Sequence, residues 1–190
     1  MNKIILASNS PRRLDLLRQI GIEPVVIPSH VPEVIKEGES PEDAALRLAV
    51  AKAEEVSRLV HDGLIIGADT VVVIDGRQLG KPKDIDDARN MLCLLSGRSH
   101  TVITGMAVID AKTSEQKTTL VKTTVKFKPI SAEEIDSYIA TGDPMDKAGA
   151  YGIQGRAAAF IDGIDGCYSN VVGLPLSELA EVLKSFGCKI

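Results

Sequence analysis

Short apolar runs alternate along the chain with stretches whose apolar positions recur every three or four residues. The run Ile4-Ile5-Leu6-Ala7, within residues 1–7, reads as a buried strand. Leu14, Leu16, Leu17 and Ile20, before Gly21, follow helical spacing. Glu23 to Ile27 reads as a second strand, and Val31 to Glu39 as a Pro-containing loop. Ala45, Leu48, Ala49, Ala53 and Val56 form the apolar stripe of a long helix, which opens at Ser40 and ends near His61-Asp62-Gly63. Leu64 to Ile74 is apolar and β-branched, a central strand. A helix starts at Asp86-Asp87-Ala88 and stops at Gly97. Thr101–Ile109 and Thr118–Phe127 read as strands joined by the polar segment from Asp110 to Lys117. Ser131 leads a helix that stops at Thr141-Gly142. Ala157 to Ile161 reads as a late strand, and Pro175 to Phe186 as the last helix. The alternation indicates an α/β fold. There are no repeats and no Pro/Gly-rich linker, so residues 1–190 are expected to form a single domain, any two lobes of which share a continuous sheet.

Three helix starts carry explicit caps. Ser10-Pro11 and Ser40-Pro41 place a hydroxyl at the N-cap and a proline at the first helical position. Asp43 and Glu134 stand three residues after Ser40 and Ser131, the spacing of a capping box. The first start also carries Arg12 and Arg13. The helix dipole disfavours cations there, so helix stability does not explain them. A hydroxyl-rich turn holding Ser8, a helix N-terminus and two guanidinium forks would suit a polyphosphate. A capped surface helix with two solvated arginines is the plainer alternative.

Composition narrows the classes. The chain is 44% hydrophobic but only 3% aromatic, so its core is expected to rest on Ile, Val, Leu and Ala. A net charge of −4 argues against a general nucleic-acid binder. Cys93, Cys167 and Cys188 fit neither a disulfide framework nor a zinc pattern, which points to a reducing cytosol. Met1-Asn2-Lys3 runs straight into the first strand and leaves no room for a signal peptide, and no apolar stretch approaches the ~20 residues of a membrane span.

Candidate chemistry begins with Asp69, the one charge in Ile65–Val73. A buried, unpaired carboxylate is costly, so Asp69 meets a cation or lies where the strand reaches solvent. At a cleft it would hold Mg²⁺ or Mn²⁺ and take a proton from water; a turn aspartate is the alternative. Lys52 lies near the apolar stripe rather than opposite it, as a phosphate-binding lysine or a snorkelling stem. Lys81, in Gly80-Lys81-Pro82, and Glu33, in the Pro-containing loop, are weaker candidates for phosphate and for a second carboxylate. The segment from Thr141 to Gly155 packs four glycines, two aspartates, a lysine and Gln154 into fifteen residues. Such a backbone turns sharply and approaches a ligand closely, and Gln154 carries both donor and acceptor for a base edge. No Walker A, GxGxxG, GxSxG or HExxH pattern occurs, and His30, His61 and His100 are scattered.

Taken together, SNSPRR (8–13), GADTVV (67–72), GKP (80–82), LSGRSHTVITG (95–105), TGDPMDKAGAYGIQG (141–155) and NVVGLPL (170–176) resemble the Maf family of nucleotide pyrophosphatases. The motifs run in order along nearly the whole chain, and DKAGAYGIQG resembles the branch acting on dTTP and UTP. Asp143 stands where many members carry Glu, a change that keeps the charge.

The resemblance implies a Maf/ITPase-like α/β fold, a mixed central sheet flanked by helices, with two lobes around a deep nucleotide-binding cleft. It implies hydrolysis of dTTP, UTP and modified pyrimidine nucleotides to the monophosphate and pyrophosphate, in house-cleaning of nucleotide pools. Asp69 would accept the proton of the attacking water, and Asp69 with Glu33 would hold Mg²⁺ or Mn²⁺. Arg12, Thr70 and Gln154 map onto the specificity positions; Ser8, Arg13, Lys52 and Lys81 map onto the phosphate site. A cytoplasmic enzyme without nucleic-acid or membrane partners is expected, with a homodimer as the default assembly. The alternatives are a nucleotide-binding regulator of cell division or septum formation without essential turnover, a nucleotidyl transferase that needs an acceptor, and an RNA-binding module. The last is disfavoured by charge and scarce aromatics.

Overall fold

The computed structural model describes residues 3–189. The expectation about a signal peptide falls on Met1 and Asn2, which lie outside them. In chain order the strands are β1 (Ile4–Leu6), β2 (Val25–Val26), β3 (Leu64–Ile74), β4 (Arg77–Leu79), β5 (Ser99–Asp110), β6 (Gln116–Phe127) and β7 (Ile161–Asp165). The helices are α1 (Pro11–Gln19), α2 (Pro41–Ser57), α3 (Ile85–Leu95), α4 (Ala132–Ile139), α5 (Tyr168–Val172) and α6 (Leu176–Ser185). Among the described residues the sheet runs β2-β1-β3-β5-β6-β7, with β4 on β3. β1 pairs parallel with β2 and β3, whereas β4 is antiparallel to β3 and β7 to β6. The sheet is therefore mixed and the α/β expectation holds. Among the described residues no helix is long and apolar enough to cross a membrane.

The caps form where the sequence places them. Ser10, Ser40 and Ser131 each accept a hydrogen bond from the backbone N–H three residues on. At α4 the box is complete, because Glu134 Oε2 also accepts from Ser131 N at 2.8 Å. At α2 the hydroxyl of Ser40 instead donates to the Asp43 carboxylate at 2.7 Å. Removing the cap with Ser131→Ala is expected to cost about 1 kcal/mol, lowering the melting temperature by about 2–4 °C in a calorimetric scan.

Several expectations need correction. Residues 157–160 are not strand: Arg156–Phe160 is a 3₁₀ helix and β7 begins at Ile161. Three successive alanines lack the branched side chains that favour a pleated surface. Between β7 and α6, Tyr168–Val172 forms the short helix α5, which the apolar pattern did not announce. Its helix-side anchor is Asn170, whose Nδ2 donates to Val102 O at 3.1 Å and to Thr123 Oγ1 at 2.9 Å. β2 covers only Val25–Val26 of the expected Glu23–Ile27. α3 begins one residue early, with Asp84 as N-cap.

The chain divides into two compact units. Unit 1 comprises Met1–Asp69, Thr104–Val121 and Gly173–Ile190. Its core joins Ile5, Ala7, Ala49, Ala53, Val56, Ile65, Ala107 and Ile109, an aliphatic set as composition suggests. Unit 2 comprises Thr70–Ile103 and Lys122–Val172. There four of the six Phe and Tyr residues collect: Phe127 meets Tyr151 and Phe160 edge-on, and Tyr138 meets Phe160. The expectation of a core resting on Ile, Val, Leu and Ala thus holds for the first cluster, and in the second these residues are joined by Phe127, Tyr138, Tyr151 and Phe160.

Candidate active site

In unit 1 the polar junction after β1 is built from its own side chains. Ser8 Oγ accepts from Ser10 N at 3.1 Å and from Arg13 Nη1 at 3.2 Å. Arg13 Nε donates to Gly173 O at 2.8 Å, tying the first turn of α1 to the start of the C-terminal segment. Burial lowers the Arg13 pKa, while Asp69 and Glu33 pull it up and Arg12 pushes it down. Four of the expected site residues thus share one electrostatic neighbourhood.

The lysine that joins the two carboxylates is brought there by helix α2. Its seam of Ala45, Ala49 and Ala53 repeats every four residues and is fully buried. It meets glycines on the sheet. A Cβ on Gly67 would stand 2.2 Å from Ala49 O, and one on Gly105 would stand 2.5 Å from Ala45 O. The helix backbone therefore lies directly on β3, with Lys52 next to the seam and Asp69 two residues beyond Gly67. Lys52 Nζ donates to Asp69 Oδ1 at 2.6 Å and to Glu33 Oε1 at 2.6 Å. The Lys52 and Asp69 side chains are 8% and 9% exposed, whereas Glu33 is 48% exposed. The Lys52 stem does not snorkel to solvent; it carries its charge inward. Asp69 is no turn residue either, since it lies within β3. Burial pushes the Asp69 carboxyl above its usual range, against the pull of Lys52 and Arg13. A carboxylate poised in this way is suited to accept a proton.

Unit 2 holds Thr70, Lys81 and Gln154. Thr70 is half-buried on β3; Lys81 and Gln154 are exposed. The Gly-rich segment folds into two 3₁₀ turns, Asp143–Asp146 and Ala148–Ala150. Gly149 adopts φ 70°, donates to Gly80 O at 3.0 Å and packs on Val72. This turn thereby docks beside Lys81 and two residues past Thr70. The next residue but one, Tyr151, is buried, with its hydroxyl 2.7 Å from His100 Nε2. Burial lowers the His100 pKa to about 4, so the ring is neutral near pH 7 and serves as a packing and hydrogen-bonding group.

Sequence reasoning missed Gly67 and His100. A glycine inside a strand signals close backbone approach, so Gly67 was open to detection. The partner of His100 is fifty-one positions away and leaves no local mark.

Among the described residues no three His, Cys, Asp or Glu side chains gather as a metal cage. Mg²⁺, however, is commonly held by one or two carboxylates completed by water and substrate phosphates. A single ammonium already bridges Asp69 and Glu33, so both can face one cation. The donor set therefore fits Mg²⁺ or Mn²⁺.

Known proteins resemble the chain in sequence and in fold. The chain is 51% identical over 190 residues to the dTTP/UTP pyrophosphatase of Pelotomaculum thermopropionicum, covering 100% of both chains. It is 53% identical over 186 residues to the dTTP/UTP pyrophosphatase of Geotalea uraniireducens, covering 98% of this chain and 96% of that one. The fold is similar to that of the Staphylococcus aureus Ham1 protein, with a TM-score of 0.54 at 14% identity, over 96% of this chain and 98% of the other. The family model described as Maf-like protein matches residues 3–186. With a match of that length and full-length relatives at half identity, the chain belongs to the Maf-like protein family.

Proposed function

We propose that the chain hydrolyses nucleoside triphosphates, dTTP and UTP first among them, to the monophosphate and pyrophosphate. The observation that carries this reading is Asp69, a buried carboxylate with a raised pKa held against Lys52. The names of the full-length relatives supply the substrate class. A regulator of cell division without turnover is not favoured, because those relatives are named as enzymes. Cys93, Cys167 and Cys188 are few, odd in number and widely spaced, which supports a reducing cytosol as the compartment. A homodimer remains the default assembly.

In this reading Asp69 takes a proton from a water as its oxygen attacks the α-phosphorus. The bond from that phosphorus to the bridging oxygen breaks, and its electron pair leaves with pyrophosphate. Asp69 then returns the proton to solvent. Arg13, Lys52, Lys81, Ser8 and the N-terminus of α1 bind and orient the phosphates, so that positioning and electrostatic stabilisation supply most of the rate. A divalent cation on Asp69 and Glu33 would neutralise phosphate charge and orient the water. Arg12, Thr70 and Gln154 read the base, meeting a pyrimidine O2, N3–H or O4 as donor and acceptor require. Cytosine has no proton on N3 and a donor at position 4, so it leaves such groups unpaired.

The test is pyrophosphate release from a panel of nucleoside triphosphates with Mg²⁺ or Mn²⁺. Release from dTTP and UTP, with little from CTP and purine nucleotides, is the expected result. Silence across the panel overturns the reading.

A further inference from the structure

Lys52 stands against both carboxylates that would hold a divalent cation. Its ammonium stands 2.6 Å from a carboxylate oxygen of Asp69 and 2.6 Å from one of Glu33. Arg13 adds a second positive charge to the same neighbourhood, as its mutual influence with Asp69 and Glu33 shows. The two carboxylates thus already face fixed positive charge, from Lys52 at contact distance and from Arg13 with Arg12 beside it. A divalent ion arriving alone would meet oxygens already engaged and a like charge at contact distance.

We propose that Lys52 is the resident cation of the Asp69–Glu33 pair and keeps a divalent metal out until a nucleotide arrives. A triphosphate offers the ammonium another anion, and the four-carbon stem lets it swing. The carboxylates are then released to the metal that enters with the phosphates. Metal and nucleotide binding are thereby coupled, and by linkage each strengthens the other.

The pair survives the departure of Lys52, because other contacts hold the Glu33 segment on α2. Upstream, Glu55 Oε2 accepts from Ser29 Oγ at 2.5 Å and from His30 N at 2.7 Å. Downstream, Arg47 donates to Glu39 at 2.5 and 2.6 Å and to Val34 O at 2.9 Å. Glu33 lies between these anchors, so turning Lys52 away opens the pair without dismantling the segment.

The inference rests on the pyrophosphatase reading only for the nucleotide step. Its test needs no turnover, so either can fail alone. Free Mn²⁺ is followed by electron paramagnetic resonance at pH 8 without nucleotide. Lys52→Met is expected to bind Mn²⁺ at least tenfold more tightly than the unaltered protein, and adding Glu33→Gln is expected to abolish the gain. Equal Mn²⁺ affinity with and without Lys52, or a gain that survives Glu33→Gln, overturns the proposal. A second measurement needs no variant: the ¹⁵Nζ resonance of Lys52 is recorded as Mg²⁺ is added. It is expected to stay in place with Mg²⁺ alone and to shift when Mg²⁺ is added with a dTTP analogue that carries a methylene in place of the α,β-bridging oxygen; a shift with Mg²⁺ alone, or no shift once the bound analogue and Mg²⁺ are both present, overturns the proposal.

Discussion

Asp69→Asn is expected to lower kcat by roughly a hundredfold to ten-thousandfold, the range over which a positioned general base acts. Asparagine keeps the shape of the side chain and leaves an oxygen to accept from Lys52 Nζ, now 2.6 Å from Asp69 Oδ1. What it removes is the capacity to take a proton, together with a charge that would face the divalent cation, so Mn²⁺ affinity is measured beside kcat and a kcat loss at saturating Mn²⁺ is the mark of the base. The loss should therefore fall on kcat with the fold intact, and circular dichroism should match the unaltered protein. The pH profile supplies an independent mark. Asp69 must be ionised to act, so activity falls as pH drops through its pKa, which burial holds above the usual carboxylate value. The acid limb should thus lie higher than for an exposed aspartate, and it should vanish from the residual activity of Asp69→Asn. Near-normal turnover in that variant would place the base elsewhere.

The legibility of this site in the sequence follows from how local each feature is. The caps at Ser10, Ser40 and Ser131 are local contacts and were readable. Strands β3, β5 and β6 are long enough for their apolar pattern to settle them. The isolated charge of Asp69 in β3 was itself a signal, as was Lys52 on the wrong side of its helix. Their pairing was not, since 17 positions separate them and Glu33 joins from a third segment. β4 was missed although its turn was announced. Asp75-Gly76 links Ile74 to Arg77 with φ of 50° and 72°, the two positive values a type I′ hairpin requires. Only three residues of β4 follow, too few for periodicity to register. The 3₁₀ turns of 143–150 depend on docking at Gly80 and Val72, contacts no local pattern encodes.

Gly67→Ala is expected to destabilise the protein by about 3 kcal/mol or more, at the upper end of what overpacking costs, with a fall in melting temperature on the order of 10 °C. The reason is space rather than backbone freedom. The added methyl would sit 2.2 Å from Ala49 O, 2.8 Å from Ala53 N and 2.9 Å from Ala53 Cβ. Two of those atoms are helix backbone, which no rotamer change can move aside, so α2 must lift from β3. Gly163→Ala is the matched control: it lies in β7, and an added Cβ meets nothing within 4 Å. That substitution should change stability by no more than about 0.5 kcal/mol. The consequence of Gly67→Ala also reaches the chemistry. Lys52 is one position from Ala53, and Asp69 is two positions from Gly67, so lifting the helix separates the ammonium from the carboxylate. The variant should lose activity even at temperatures where it is folded, while Gly163→Ala keeps it. If Gly67→Ala melts like the control and turns over normally, the close seating of α2 on β3 is not what holds Lys52 against Asp69.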